Sequence, residues 1–233
     1  MTMAIPGGTA DLLNKAVKGR SLWDDSRRRL FANKAAIAGM IVLGLMAVIA
    51  FIGPFFWPHD YAHQYQDQLG IAPTLENMHW LGTDIYGRDM VARILVGLQI
   101  SLTVGFIATF VSLVIGVTWG AIAGFAGGRV DQYMMRFVDV LYAVPFIFFV
   151  ILVTVVFGRQ LFLIFLAIGA VEWMTMARIV RGQTLALKQK EFVEAARAAG
   201  VKPFGIILRH ILPNLIGPVA VYVTLTMPIV ILQ

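Results

Sequence analysis

Three groups of residues have types and spacings that can do chemistry. Glu194-Ala195-Ala196, then Gly200, then Leu212-Pro213, with Phe192 just ahead, set one acid among small and apolar side chains. Such a surface suits the docking of a partner rather than the making of bonds. Leu81-Gly82-Thr83-Asp84 followed by Gly87-Arg88-Asp89 brings two carboxylates, a guanidinium and two glycines into one short stretch. Asp139 and Glu172 stand in or beside apolar runs, where a charged form is costly and an acid is a functional residue by default. Arg136 lies three residues before Asp139 on the same helical face and offers it a partner. No Lys or Arg stands three or four positions from Glu172, so it reads as lining a water-filled path or pairing across helices. His59 and His63 are four apart and close to Asp60, His79 and Asp84, the residue types of a nickel or zinc site. Pro58 and the loop setting give no regular helix to align them, so they read as surface histidines and no metal site is assigned.

Catalytic signatures are missing. There is no cysteine, hence no disulfide framework and no Cys-based metal site. There is no Gly-x-x-x-x-Gly-Lys-Ser/Thr loop to cradle phosphates, no His-Glu-x-x-His, and no serine in a Gly-x-Ser-x-Gly setting. The chain is not read as an enzyme, and no cofactor is assigned to it.

The elements that must hold these residues follow from hydropathy. The chain has 233 residues, 59% hydrophobic and only 14% charged. A soluble domain carries about 25% charged residues, so there is more apolar surface here than one globular core can hide. The bilayer is the natural solvent for the excess. Five runs are long enough to cross it: about Ala35–Trp57, Leu98–Phe125, Tyr133–Phe157, Leu161–Met176, and a last one starting near Ile211. The first run begins after more than thirty polar and basic residues and is too long for a signal-peptide core of about 7–15 residues. Gly116, Gly120 and Gly124 recur at four-residue spacing and suit close helix packing. Pro145 interrupts the third run and can kink it.

Basic residues set the orientation. Seven Lys and Arg lie in the N-terminal segment (Lys15, Lys18, Arg20, Arg27, Arg28, Arg29, Lys34). Arg129 and Arg136 lie between the second and third runs, and seven more lie between the fourth and fifth (Arg178, Arg181, Lys188, Lys190, Arg197, Lys202, Arg209). Only Arg88, Arg93 and Arg159 fall on the other side. The N-terminus and the long fourth-to-fifth connection are therefore expected in the cytoplasm, and the net charge of +6 reflects inside loops rather than nucleic-acid binding. The expected layout is a cytoplasmic segment over 1–33, a first transmembrane helix over 34–57, a periplasmic loop over 58–97, and a helical core over 98–233. In the first segment, Trp23, Leu30 and Phe31 with Arg27–Arg29 read as an amphipathic helix on the lipid surface. Five spans from an inside N-terminus would leave Gln233 outside, within an apolar stretch, so a sixth span is expected beyond it.

The segment from Arg178 to His210 is too polar to cross and too apolar to be a mere linker. Lys190–Ala199 reads as a short helix with Phe192, Ala195 or Ala196, and Ala199 on one face. Gly200 permits the left-handed geometry that ends a helix, and Pro203 suits the first turn of the next. A helix–Gly–helix elbow on the cytoplasmic surface is expected.

Glu194-Ala195-Ala196, Gly200 and Leu212-Pro213 resemble the EAA loop of ABC importer permeases. That family has Ile two residues before the Leu, where this sequence has His210. Leu81–Asp84 with Gly87–Asp89 resembles the motif preceding the second span in dipeptide, oligopeptide and nickel permeases. Arg209–Asn214 is similar to the peptide-importer branch, and Ala177–Thr184 with Gly19-Arg20-Ser21-Leu22-Trp23 resembles the C-subunit branch of the oligopeptide permeases. The resemblance runs from about residue 19 to the end. It implies an all-α, type I importer permease of six spans, with coupling helices at about 190–208 that dock on an ATPase. It further implies two ATPase subunits binding ATP and Mg²⁺, a second permease subunit, expected as a heterodimer partner although an identical copy stays open, and a periplasmic binding protein that delivers a peptide. Nickel, an opine or another small solute is the alternative cargo. A secondary transporter or channel would instead show repeats with interrupted spans in corresponding positions, which the sequence lacks.

Overall fold

The computed structural model describes residues 27–28, 30–158 and 160–232. Trp23, the motif at 19–23, Lys15, Lys18, Arg20, Arg29, Arg159 and Gln233 lie outside them. Among the described residues the chain is helical. The helices are α1 (Lys34–Phe56), α2 (Met90–Ala126), α3 (Gly128–Tyr142), α4 (Phe146–Phe157), α5 (Leu161–Lys188), α6 (Glu191–Ala198), α7 (Pro203–Ile206) and α8 (Leu212–Leu232), with a π-helical turn at Ile207–Ile211 joining the last two.

Four helical stretches are long and apolar enough to cross a membrane: Lys34–Phe56, Met90–Ala126, Phe162–Lys188 and Pro203–Leu232. The expected third span differs. Instead of one helix over Tyr133–Phe157 there are two, α3 and α4, meeting at 81°. Proline explains the break. Pro145 has no N–H to give and disfavours helical geometry at Val144. Helix α4 alone is roughly 18 Å long at 1.5 Å per residue, short of about 30 Å of hydrocarbon. Helix α3 is amphipathic, with Val138 buried and Tyr133, Phe137 and Val140 exposed.

The fourth span is also longer than expected. Helix α5 does not stop near Met176 but runs on to Lys188, so Arg178 and Arg181 belong to a rigid helix rather than a connection. It packs along α2 through both its apolar and its polar half, and it also meets α3, where Val138 joins Trp173, Met174 and Ala177. The α2–α5 pair is the spine of the molecule. Ala108, Ser112, Gly116, Gly120 and Gly124 recur every four residues along α2, and all are buried. This places them in one row. A methyl at Gly116 would come 2.5 Å from Met176 Cβ, and one at Gly124 would come 2.8 Å from the Arg181 carbonyl oxygen. The row therefore brings the two backbones together as a small-residue seam does. Reciprocally, a methyl at Gly169 of α5 would lie 2.8 Å from the Ala108 carbonyl oxygen.

Helix α8 lies against α2 and α5, burying Leu215, Val219, Thr226 and Val230. Its entry is the π turn, where Leu212 N–H reaches back to the Ile207 carbonyl. Pro213 explains the wide turn, because its ring would clash with the carbonyl four residues back. Asn214 Nδ2 donates to the His210 carbonyl at 2.7 Å, satisfying one oxygen left over. Helix α1 is peripheral. Only Ala50 is buried, and Gly53 sits against Leu95 of α2, so nearly all its surface is apolar and outward.

Candidate functional site

The sequence motifs fall at opposite ends of α2. At its N-terminal end, the loop between α1 and α2 folds around Asp84 and Asp89. Asp89 is the N-cap of α2, its carboxylate accepting from Ala92 N–H at 2.7 Å. The same carboxylate accepts from Trp57 Nε1 at 2.8 Å and from His79 Nδ1 at 2.7 Å. It is fully buried, yet its pKa is lowered: burial works to raise it, and the three donors outweigh burial. The end of α1, the middle of the loop and the start of α2 are thus tied to one side chain.

Asp84 organises the outer part. Its carboxylate accepts from the Tyr86 and Arg88 backbone N–H groups, both at 2.9 Å, from Arg88 Nε at 2.9 Å, and from Arg93. Desolvation pushes its pKa up, but these donors hold it down at about 2. Thr83 donates to the Gln68 carbonyl and accepts from Ile71 N–H at 3.2 Å. Gly82 and Gly87 have φ of +75° and +73°, and a side chain would collide with the Ile71 and Tyr65 carbonyl oxygens respectively. Each polar or glycine position of the motif therefore has a packing reason. Leu81, by contrast, is exposed.

The histidines depart from the sequence reading. His63 is exposed, but His79 is 1% exposed and stacks on His59 with ring centroids 4.2 Å apart. Ligand-type atoms of His59, His79 and Asp89 lie within 4.8 Å of one another. His59 Nδ1 is engaged with the Tyr65 hydroxyl at 2.8 Å and Nε2 with the Asn77 carbonyl at 3.0 Å. Both Asp89 oxygens are engaged as well, so the group is a hydrogen-bonded anchor. Sequence spacing missed it because the loop, not a helix, aligns the rings.

At the other end lies the elbow. Helix α6 is closed by two bonds: Val201 N–H to the Ala196 carbonyl at 3.1 Å, and Gly200 N–H to the Arg197 carbonyl at 2.9 Å. With Gly200 at φ +79°, this is the Schellman ending. Nothing lies within 4 Å of a methyl built at Gly200, so its backbone angle rather than space demands glycine.

The elbow's two faces differ from the single face expected. Val193 and Ala196 are buried against Phe125, Val180, Ile206 and Ile211. Ala196 therefore holds the elbow to the core and is not partner-facing. Phe192, Glu194, Ala195, Ala199 and Gly200 are outward, and Phe204 of α7 beside them is exposed. Leu212 packs on the core, and Pro213 is exposed in the last helix.

Phe125, at the end of α2, is the anchor that sequence reasoning missed. Its carbonyl accepts from Lys188 Nζ at 2.5 Å, and the Arg197 guanidinium lies 5.4 Å from its ring centroid. Next to it, Arg181 grips buried Asp131 through two bonds, Nε–Oδ1 at 2.5 Å and Nη2–Oδ2 at 2.6 Å. Such a fork fixes the angle between α5 and α3. Asp139 pairs not with Arg136 but with Arg178, Nη2 to Oδ1 at 2.8 Å, because α5 packs beside α3 and Arg178 stacks 4.3 Å over Tyr142. Glu172 lines a cavity of about 310 Å³ at the α3–α4 break.

The chain as a whole resembles known proteins. Residues 21–73 match the N-terminal transmembrane domain of oligopeptide transport permease C. The chain is 50% identical over 216 residues to the oligopeptide transport system permease protein OppC of Haemophilus influenzae, covering 93% of this chain and 70% of that one. It is 42% identical over 225 residues to OppC of Bacillus subtilis, covering 97% and 72%. It is 43% identical over 208 residues to the dipeptide transport system permease protein DppC of Bacillus subtilis, covering 89% and 64%. Residues 116–233, which hold the elbow, α5 and the C-terminal part of the α2 seam, match the binding-protein-dependent transport system inner membrane component, and the chain belongs to that family of multi-pass membrane permeases.

Proposed function

We propose that this chain is one permease subunit of an ABC importer that carries peptides across the cytoplasmic membrane. The elbow is the observation that carries the reading. It is an outward surface of Phe192, Glu194, Ala195 and Gly200, held rigidly to the spine through Val193, Ala196 and Phe125. A push on it is delivered to α2, α5 and α8 together rather than absorbed by a loose loop. Relatives named as oligopeptide and dipeptide permeases favour peptide cargo over nickel, an opine or another small solute.

In this reading the path lies between this chain and a second, different permease subunit. Two ATPase subunits bind ATP and Mg²⁺, close on each other, and move the elbow. The N-terminus and elbow face the cytoplasm, and the 57–89 loop faces the periplasm, where a binding protein delivers the peptide. The ion pairs Arg181–Asp131 and Arg178–Asp139 link the moving helices on the elbow side.

Uptake of labelled peptides of graded length tests the cargo. A strain lacking its own peptide importers should recover growth on peptides when this chain is supplied with its partner subunits. Failure on every peptide, with the complex assembled, overturns the reading.

A further inference from the structure

We propose that Glu172 receives a cationic group of the passing peptide, either its α-ammonium or a lysine or arginine side chain. This assignment rests on the peptide-import reading above.

Depth comes first. Glu172 is eleven residues beyond Leu161, the start of α5, so it lies roughly 16 Å along the axis at 1.5 Å per residue. That is about half of the roughly 30 Å of hydrocarbon. A carboxylate at that level is costly against lipid and is retained where it faces protein or a water-filled space. The structure supplies the space. Glu172 lines a cavity of about 310 Å³ together with Tyr142, Pro145, Phe146 and Thr175. At about 30 Å³ per water, this admits one end or one side chain of a peptide rather than a whole peptide.

The cavity sits where a helix is interrupted. Tyr142 ends α3 and Phe146 begins α4, across the 81° break at Pro145. Interrupted backbone at membrane depth is tolerated where it lines a cavity, and transport sites are built from such discontinuous helices. The remaining wall is mixed. Val144, Val171 and Met174 are apolar, whereas the Tyr142 and Thr175 hydroxyls are polar.

The charges favour a cation. The Tyr142 ring already carries one, since Arg178 lies 4.3 Å from its centroid. Arg178 is in turn matched by Asp139 at 2.8 Å. The cavity's own ionisable acid is Glu172. A carboxylate among hydroxyls recognises an ammonium by charge-assisted hydrogen bonds, and the shared wall of three helices lets this binding bias their arrangement.

The test uses the complete importer in lipid vesicles with four peptides of equal length. One has a free amino terminus and neutral side chains, and one is its N-acetylated counterpart. The other two are N-acetylated and carry lysine or, in its place, norleucine. Glu172→Gln should lower uptake of cation-bearing peptides about tenfold relative to uncharged ones. A change in the free-to-acetylated ratio identifies the α-ammonium, and a change in the lysine-to-norleucine ratio identifies a side chain. Glu172→Asp, which keeps the charge but withdraws it by one methylene, should shift the same ratio less, and it decides the matter should the Gln variant fail to assemble. Uptake that falls equally for all four peptides, or ratios unchanged in either variant, overturns the assignment while leaving peptide import standing. A wild-type importer that takes up none of the four overturns peptide import itself.

Discussion

Two aspartates five residues apart do most of the work of shaping the first loop, and they do it differently. Asp89 is buried and joins three segments. Asp89→Ala removes the N-cap of α2 and leaves the donors of His79 and Trp57 unanswered. A loss of about 2 kcal/mol or more in local stability is expected, seen as faster hydrogen exchange across 57–95. The exposed Asp67→Ala should change exchange by less than about 0.5 kcal/mol. Asp84 is held by cations and backbone donors at the surface, so its effect depends on pH. Its pKa lies below the ordinary 3.8, at about 2. The carboxylate's contribution is thus complete at neutral pH and is lost as pH falls from about 4 toward 2. Fluorescence of Trp80, which packs edge-on to Trp57 at 4.8 Å, should report that loosening. In Asp84→Asn the transition should shrink to the part contributed by Asp89, whose carboxylate is also held below its ordinary range.

At the scale of the helix, close approach and helix endings decide what can be changed. The α2–α5 seam tolerates nothing larger than its small residues. Gly120→Leu would drive a side chain into the Ala177 carbonyl, and a fall of several degrees in the melting temperature of the detergent-solubilised protein is expected. Gly97→Ala, with nothing within 4 Å, should leave it unchanged. Gly200 fails in another way. A β-branched side chain there meets open space but a left-handed backbone, costing about 1–3 kcal/mol and shifting the turn. Gly200→Val should insert normally yet lower transport-linked ATP turnover; unchanged turnover and uptake would show that the elbow does not couple. The seam and the glycine ending were legible because each depends on local spacing or on one residue's backbone freedom. The Pro145 break was legible only as a kink, since the angle between α3 and α4 depends on what α5 presents, including Arg178 to Asp139. The inward turn of Ala196 was not legible. Phe192 and Val193 are adjacent apolar residues, and only Phe125 and Ile206, distant in sequence, decide which one faces the core.

For the molecule as a whole, hydropathy located the spans apart from the third, which is two helices at 81°, and the uneven distribution of Lys and Arg gave the proposed orientation. Neither could show that some helices are much longer than the roughly 30 Å of hydrocarbon. Helix α2, at 37 residues, is roughly 55 Å long and carries the Phe125 anchor far from the lipid-facing middle. The orientation and the docking face can be tested together, because the chain has no cysteine and each introduced one is a unique label. Leu75, 79% exposed in the first loop, and Ala195, outward on α6, lie at opposite ends of α2. A membrane-impermeant maleimide should modify Leu75→Cys in spheroplasts and leave Ala195→Cys untouched. In inverted vesicles the accessibility should reverse, but only after the ATPase subunits are stripped, since their docking covers Ala195. The opposite pattern in spheroplasts would reverse the proposed topology. Labelling of Ala195→Cys at an equal rate with the ATPases in place would instead retain the topology and move the docking surface elsewhere, Phe204 of α7, 69% exposed, being the next apolar side chain on that end of the bundle.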